Sequence, residues 1–337
     1  MELLLKNVTT IDGVKDVRVP GTGSKKQTEI DFSGHFMYPG LTNWHDHLEM
    51  NLYPKLGTPP YNNYTEWMKD IYRPKESPIR EIEKTDKDYR LLWGGLKNLI
   101  SGVTTVYHHN APRRILRKNS FPVFVPEIEW AHSLFVEKTF RYRKDRPFII
   151  HLAEGVDDFA AKETAHLDLL GYLKPNTYIV HGISADWNLI ESQGASVIWC
   201  PSSNLYMFNK TADVKERKNV FLGTDSTLTG SPTLLDEMRV ASEYVSKEEI
   251  FKMVTTNSNG FFISSKEIFS TQPKDIKLVV SDGRIRLQDP SIGLPPLKHG
   301  KTNINVDKLK LHFEKKVGTK ILEQNPLWHL ILDNLKS

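Results

Sequence analysis

The stretch PGLTNWHDHLEM, residues 39–50, sets His45 and His47 one residue apart behind a Pro-Gly turn and a short apolar lead-in. On an extended strand, residues i and i+2 share a face, so the two imidazoles point the same way and can hold one ion, with Asp46 on the other face. Taken alone, the pair also reads as two polar residues closing an ordinary strand. What the other strands deliver to the same place decides between these readings.

Outward from this stretch the chain changes character. Residues 1–38 are short segments such as LLLKNVTTI and QTEIDF, which predict small strands and turns. From about residue 39, short apolar runs alternate with amphipathic stretches. The runs are LTNWHDH, GVTTVYHHN, PVFVPEIEW, PFIIHLAE, TYIVHGIS, ASVIWCPSS and NVFLGTDS. Continuous apolar runs suit parallel strands buried on both faces. YTEWMKDIY, KDYRLLWGGLKNLI, DFAAKETAHLDLLGYL, ADWNLIESQ and SPTLLDEMRVASEYV read as the helices between them. Because polar residues fall repeatedly at the carboxyl ends of the runs, the α/β pattern predicts a (β/α)8 TIM-like barrel rather than a doubly wound sheet.

Only about 40 residues separate GVTTVY from PFIIH, and a complete βα unit takes ~30, so one unit between them is expected to be reduced. After about residue 264 come KDIKLVVSDGRIRL, with a hairpin signal at Asp282-Gly283, a Pro-rich link and a helical tail. We therefore expect a barrel over residues 39–264 and a small β-rich domain from residues 1–38 and 265–337 with the tail.

IIHLAEG brings His151 and Glu154, YIVHGIS brings His181, and FLGTDS brings Asp225, each at the carboxyl end of a predicted buried strand. A charged or imidazole side chain there costs free energy unless it is paired or liganded. A shared metal ion explains all of them together.

The ordered set resembles the amidohydrolase superfamily, in the branch holding guanine and cytosine deaminases, S-adenosylhomocysteine-type deaminases and triazine hydrolases. PGLTNWHDHLEM resembles that branch's opening motif, GVTTV its second strand, HLAE its fifth, VHG its sixth, CPSSN its seventh and GTDS its eighth. YTEWMKDIYRPKES resembles the Trp-containing segment that covers the pocket there, and the likeness runs from about residue 30 to 262. It implies His45, His47, His151 and Asp225 as ligands of one divalent ion, Zn²⁺ first and Fe²⁺ as its rival, since N/O sites choose weakly between them. A metal-bound water acidified towards pKa ~7 would then supply hydroxide.

In the same resemblance Glu154 shuttles protons, His181 hydrogen-bonds the hydroxide and the developing oxyanion, and Asp225 also accepts a proton. Bland readings stand beside these: Glu154 as a helix-N-terminal carboxylate and His181 as a satisfied strand-end histidine. Binuclear relatives use a carboxylated lysine on the fourth strand. VPEIEWAHS has none, so a single ion is preferred, although Glu127 or Glu129 could bridge two.

His132, His109 and Glu49 are candidate substrate contacts. His108 and His109 read either as reaching the substrate or as exposed loop residues, and Cys200 and Asn204 as shaping the seventh strand's end. The implied activity is deamination of an amino-substituted heterocycle. The alternatives are cyclic-amide or C–Cl hydrolysis at the same site, and a non-catalytic family member.

Composition narrows the partners. The net charge of +4 is slight for 337 residues and the basic residues are scattered, so nucleic acid is not expected. Cys200 is the only cysteine, which rules out an intrachain disulfide, a thiolate-rich zinc site and the two-cysteine zinc motif of the cytidine-deaminase fold. MELLLKNVTT is too short an apolar run for a signal peptide, and no stretch approaches 18 apolar residues. We expect a cytoplasmic protein acting on a small-molecule substrate away from membranes. The resemblance implies a homodimer, while the residues leave oligomeric state open.

Overall fold

The first four strands are mostly open to solvent on one face, and the alternation this produces is clear in the first of them. They are β1 (Glu2–Thr10), β2 (Gly13–Val19), β3 (Gln27–Asp31) and β4 (Phe36–Pro39). In β1, Leu3, Leu5 and Val8 are buried while their neighbours are partly open. The structure is a computed structural model that describes residues 2–19, 27–137 and 139–335.

The apolar runs that follow become parallel strands. β5 (Leu41–Asp46) pairs with β6 (Val103–His108). β7 (Glu129–Ser133), β8 (Phe148–Leu152), β9 (Thr177–His181), β10 (Ser196–Trp199) and β11 (Val220–Leu222) then form a five-stranded parallel sheet in chain order. Every residue of β5, β6, β8 and β10 is buried, as continuous apolar runs demand. Finally β12 (Phe261–Ser264), β13 (Ile276–Ser281) and β14 (Arg284–Gln288) return to the first strands in the order β14-β13-β12-β4-β1-β2, with β3 beside β1. Asp282 and Gly283 both take positive φ in the β13–β14 turn, the backbone a two-residue hairpin needs.

The expectation of a full (β/α)8 ladder is met only in part. Backbone pairing forms arcs of two and five strands and no closed barrel. At the position of the third strand only Phe124 bridges Thr105, through Val106 N to Phe124 O at 2.9 Å and Phe124 N to Thr104 O at 2.8 Å. A short 3₁₀ turn, Arg114–Arg117, stands where a helix would. The shortage of chain is the cause: the interval that looked cramped is too short for a strand and helix together. The far end of β11 does meet β5, because Thr224 N and Asp225 N both donate to His45 O, at 3.1 and 3.0 Å.

The helices of the sequence reading form at Tyr64–Ile71, Lys87–Leu99, Asp158–Leu169, Trp187–Gln193 and Leu234–Ala241. Three more, Ile79–Glu83, Pro201–Phe208 and Lys247–Thr255, were not anticipated, although the last carries a Ser246–Glu249 capping box. The tail helices Val306–Val317 and Leu327–Leu335 pack on the Lys87–Leu99 helix, with the Trp93 ring 5.6 Å from Phe313 and 5.4 Å from Trp328. No described helix is long and apolar enough to cross a membrane.

Two features place the site. Trp44 stacks on Tyr107 at 4.4 Å and lies against Tyr178 and Phe221, giving a rigid aromatic layer beneath the strand ends. Beside it, the Lys87–Leu99 helix approaches the turn after β5 so closely that a Cβ on Gly94 would lie 2.1 Å from Leu48 O. Gly94→Ala is therefore expected to cost ~1–3 kcal/mol by overpacking, despite the ~1 kcal/mol of helix propensity that alanine gains. Gly95→Ala, which meets only the side chains of Pro122 and Phe121, should cost less. Urea unfolding of both variants checks this, and equal midpoints would remove the argument.

Candidate metal centre and active site

The strands end in the polar residues singled out above, and their side chains converge. His47 Nε2 lies 3.3 Å from His151 Nε2, while His45 Nε2 and His47 Nε2 lie 3.7 and 3.8 Å from Asp225 Oδ1. All four groups are buried. His45 Nε2 makes no hydrogen bond, an orphaned polar atom aimed at the convergence point. Among the described residues, two sets have donor atoms mutually close enough for an ion: His45, His47, His109 and His151, and His45, His181 and Asp225. Imidazole nitrogens with one carboxylate oxygen and no thiolate fit a divalent ion such as zinc or iron.

Neighbouring groups hold these side chains in place. His151 Nδ1 donates to His132 O at 2.7 Å, which leaves its Nε2 as the lone-pair nitrogen. Asn110 meets His47 Nδ1 at 3.1 Å. The second carboxylate oxygen of Asp225 accepts from Ser203 Oγ and Thr229 Oγ1, both at 2.9 Å. Ala153, His181 and Asp225 all adopt positive φ, so three strand ends carry left-handed backbone of the kind that concentrates at functional sites.

Burial drives the ionisation pattern. It lowers His151 and His109 far below the usual histidine range, brings His45 to about 3 and lowers His181, so these imidazoles are neutral, as metal ligands must be. The two carboxyls go opposite ways. Burial raises Glu154 well above the carboxylate range, helped by the charges of Asp225 and Glu163. For Asp225 burial also pushes upward, but the facing imidazoles of His45, His47 and His181 outweigh it and hold the group well below that range. Glu154 Oε1 stands 3.5 Å from His181 Nε2, and His181 Nδ1 donates to Asn204 Oδ1 at 2.8 Å.

A cavity of about 520 Å³ opens above this floor, with His47, His132, His151, Glu154, His181 and Asp225 among its lining. Its walls are mostly apolar, with Trp67, Met68 and Tyr72 contributed by the YTEWMKDIYRPKES segment. His132 thus reaches the cavity, and its Nδ1 is buried without a partner.

The other two candidate substrate contacts are placed elsewhere. Glu49 is buried in an ion pair with Lys87 at 2.8 Å and faces His108 at 3.6 Å. His109 sits behind His45, its Nδ1 3.3 Å from His45 Nδ1. Neither His108 nor His109 is an exposed loop residue: β6 carries His108 inward, and His109, the next residue, is buried with its N–H on Asp46 O. Glu127 pairs with Arg117 and Arg146, and Glu129 with Arg141, so neither joins the imidazoles.

Several contributors escaped the sequence reading. Ser203 lies in CPSSN, where its place just after a strand was a signal, and Asn204, read there as shaping the strand's end, also holds His181. Lys97 lies one turn beyond Trp93 on the apolar side of its helix, which is the mark of a buried lysine. Glu163 gave no signal. Its carboxylate accepts from Ala153 N at 2.8 Å and from Tyr64 OH at 3.0 Å, and so fixes the left-handed turn that presents Glu154.

A model of the amidohydrolase family matches residues 142–262. The chain is 26% identical to the 5-methylthioadenosine/S-adenosylhomocysteine deaminase of Pyrococcus furiosus, over 76% of this chain and 77% of that protein. It is 28% identical to a second such deaminase, from Archaeoglobus fulgidus, over 29% of this chain and 28% of that one. Among solved structures, it superposes on an adenosine deaminase from Xanthomonas campestris with bound zinc, with TM-score 0.66, 12% identity and coverage of 93% and 97%. It also superposes on atrazine chlorohydrolase from Arthrobacter aurescens complexed with zinc, with TM-score 0.68, 13% identity and coverage of 94% and 100%. Over residues 142–262 the chain resembles the amidohydrolase family, and its fold is that of the zinc-bound deaminase and chlorohydrolase structures. With that likeness the parallel α/β body is a TIM-barrel fold whose ladder is interrupted at the third strand.

Burial raises the Glu163 carboxyl from 4.5 to about 7, against the opposing bonds from Ala153 and Tyr64. Between these values the unfolded chain has lost the proton and the fold keeps it. The stabilisation that protonated Glu163 allows is therefore full below 4.5 and is lost as pH rises towards about 7. Glu163→Gln, which cannot ionise, should be more stable relative to wild type at pH 8 than at pH 4.5 by on the order of 3 kcal/mol. Chemical unfolding of the chelator-treated proteins at both pH values tests this, and a pH-independent difference contradicts it.

Proposed function

We propose that this protein hydrolyses a C–N bond of an amino-substituted heterocycle, releasing ammonia, with one divalent ion held by His45, His47, His151 and Asp225. The observation that carries the proposal is the convergence of the His45 and His47 Nε2 atoms on one Asp225 oxygen, with His151 Nε2 3.3 Å from that of His47, beside a Glu154 whose carboxyl burial raises well above the usual range. When bound, the ion supplies a Lewis acid that acidifies a coordinated water. Zinc is the first choice and iron the second.

The chain's own groups then divide the proton work. His181, with its Nδ1–H given to Asn204, offers Nε2 as an acceptor, so it orients the attacking water by accepting one of its O–H groups. Asp225, kept ionised, is the base for the water's proton. Glu154 delivers its proton to the ring nitrogen next to the carbon under attack, which offsets the negative charge of the tetrahedral species. It is recharged with the proton that Asp225 took from the water, passes it to the departing amine, and takes the remaining hydroxyl proton as the carbonyl forms and ammonia leaves. His132 faces the substrate from the cavity wall.

The substrates for which the deaminases among the relatives are named contain a purine, and the apolar, aromatic cavity suits a planar heterocycle with an apolar substituent. The same site could open a cyclic amide or displace chloride, and the zinc-bound atrazine chlorohydrolase neighbour favours keeping that second reading. A non-catalytic member is disfavoured because every ligand and the proton shuttle are present together. We place the activity in the cytoplasm, with residues 39–264 as the catalytic body and residues 1–38 with 265–337 as a β-rich unit and its tail.

Protein purified without chelators is expected to carry about one equivalent of metal and to release ammonia from one member of a panel of aminopurine nucleosides, aminopyrimidines and pterins. Bound metal below about a tenth of an equivalent with no gain on adding Zn²⁺ or Fe²⁺ would overturn the proposal. A carboxylate or chloride product in place of ammonia would move it to the alternative. Glu154→Gln should keep the metal and lower turnover by at least ~10²-fold, and wild-type turnover in that variant would show the proton shuttle to be misplaced.

A further inference from the structure

We infer that His109 is a positioning residue that locks His45 into the one tautomer able to bind metal. This rests on the metal site proposed above. His109 Nε2 lies 2.9 Å from Ala131 O, a pure acceptor, so that nitrogen carries the hydrogen. In a neutral ring protonated at Nε2, the other nitrogen, Nδ1, is a lone pair. Nδ1 faces His45 Nδ1 at 3.3 Å, so the hydrogen between them belongs to His45. The remaining nitrogen of His45, Nε2, is left as a bare lone pair on the site side, 3.7 Å from Asp225 and without a hydrogen bond. A backbone carbonyl thus sets the protonation of a metal-facing atom through two imidazoles in series.

His151 has its own such partner, since its Nδ1–H donates to His132 O. His109 fills that role for His45. It is not itself a ligand, although its nitrogens lie within reach of the cluster. Both are already engaged, and Nδ1 is directed at the back of His45. Its ring stacks flat on His151 at 4.4 Å and 12°. The backbone holds the ring there, since His109 N donates to Asp46 O at 3.1 Å across β6 and β5.

The test compares wild type, His109→Phe and His109→Asn. Phenylalanine keeps the aromatic stack and removes the acceptor, whereas asparagine loses the stack and restores an acceptor oxygen near the Nδ1 position. Zinc affinity, read by competition with a chromophoric chelator, should fall ~10–100-fold in the Phe variant and recover in the Asn variant. In metal-free wild type, long-range ¹H–¹⁵N correlation should show His45 protonated at Nδ1 and His109 at Nε2, a readout that needs no variant to fold.

Full zinc affinity in a folded His109→Phe protein, or His45 protonated at Nε2, overturns the inference while leaving the metal site standing. A metal-shifted His109 nitrogen in the zinc-loaded protein also overturns it, by making His109 a ligand. Absence of zinc binding in wild type instead refutes the metal site itself.

Discussion

The site hangs on one buried cation. Lys97 Nζ, wholly shielded from solvent, lies 3.1 Å from Asp46 Oδ2 and donates to Asn51 Oδ1, Thr224 Oγ1 and the Asp225 carbonyl at 2.9–3.0 Å. Asp46 is in turn held by Asn51 and Asn98 at 2.8 Å. One ammonium thereby ties the residue between the two clamp histidines, the turn that follows them and the backbone of the eighth-strand aspartate to a single helix. Such a pair adds little to stability against an apolar alternative, but losing one partner leaves an uncompensated buried charge worth ~3–5 kcal/mol. The contribution is geometric: His45, His47 and Asp225 cannot drift relative to one another without breaking it. The absence of a side chain on Gly94 is what lets that helix come close enough.

Given fixed geometry, the chemistry follows from dielectric and neighbours. Crowding several imidazoles into a dry strand-end cluster forces them neutral, which suits ligands. Two carboxyls in the same cluster, Glu154 and Asp225, cannot share one state. Imidazoles surround Asp225 and hydroxyls bond its second oxygen, so it stays charged. Glu154 has only distant help and the repulsion of Asp225, so it keeps its proton. Acid and base are separated by environment alone.

Much of this was legible in the sequence, for identifiable reasons. Continuous apolar runs mark strands buried on both faces, and a polar residue closing such a run has few structural excuses, so His45, His47, His151, Glu154, His181 and Asp225 stood out. The hairpin at Asp282-Gly283 and the shortage of chain before PFIIH were equally plain. What stayed hidden was the support. Glu163 and Lys97 sit inside helices where charged residues are usually solvated, and their burial is set by which face the helix turns inward. Glu49 looked like a substrate contact because it follows the clamp by two residues, but the chain turns at Leu48–Met50 and carries it to Lys87. His108 and His109 followed an apolar run and resembled a loop, yet β6 extends through His108.

The shortened third unit shows how separable scaffold and site are. The proposed ligands and proton-transfer groups come from the ends of β5, β8, β9 and β11, and none from the stave reduced to Phe124. A barrel position that supplies no chemistry can shrink as long as its neighbours stay in place. They do so here for local reasons: β6 is pinned to β5 by His109 N on Asp46 O, and β7 is held in register by β8. The tail adds support on the opposite side, where Asn325 Nδ2 donates to Asn51 O and Tyr53 O at 3.1 and 2.7 Å and so braces the turn that follows the clamp. The reduced stave therefore costs the reactive floor nothing. Its effect falls on the cavity wall beside Asn110 and His132, where a full unit would have placed a covering loop and where substrate shape is read.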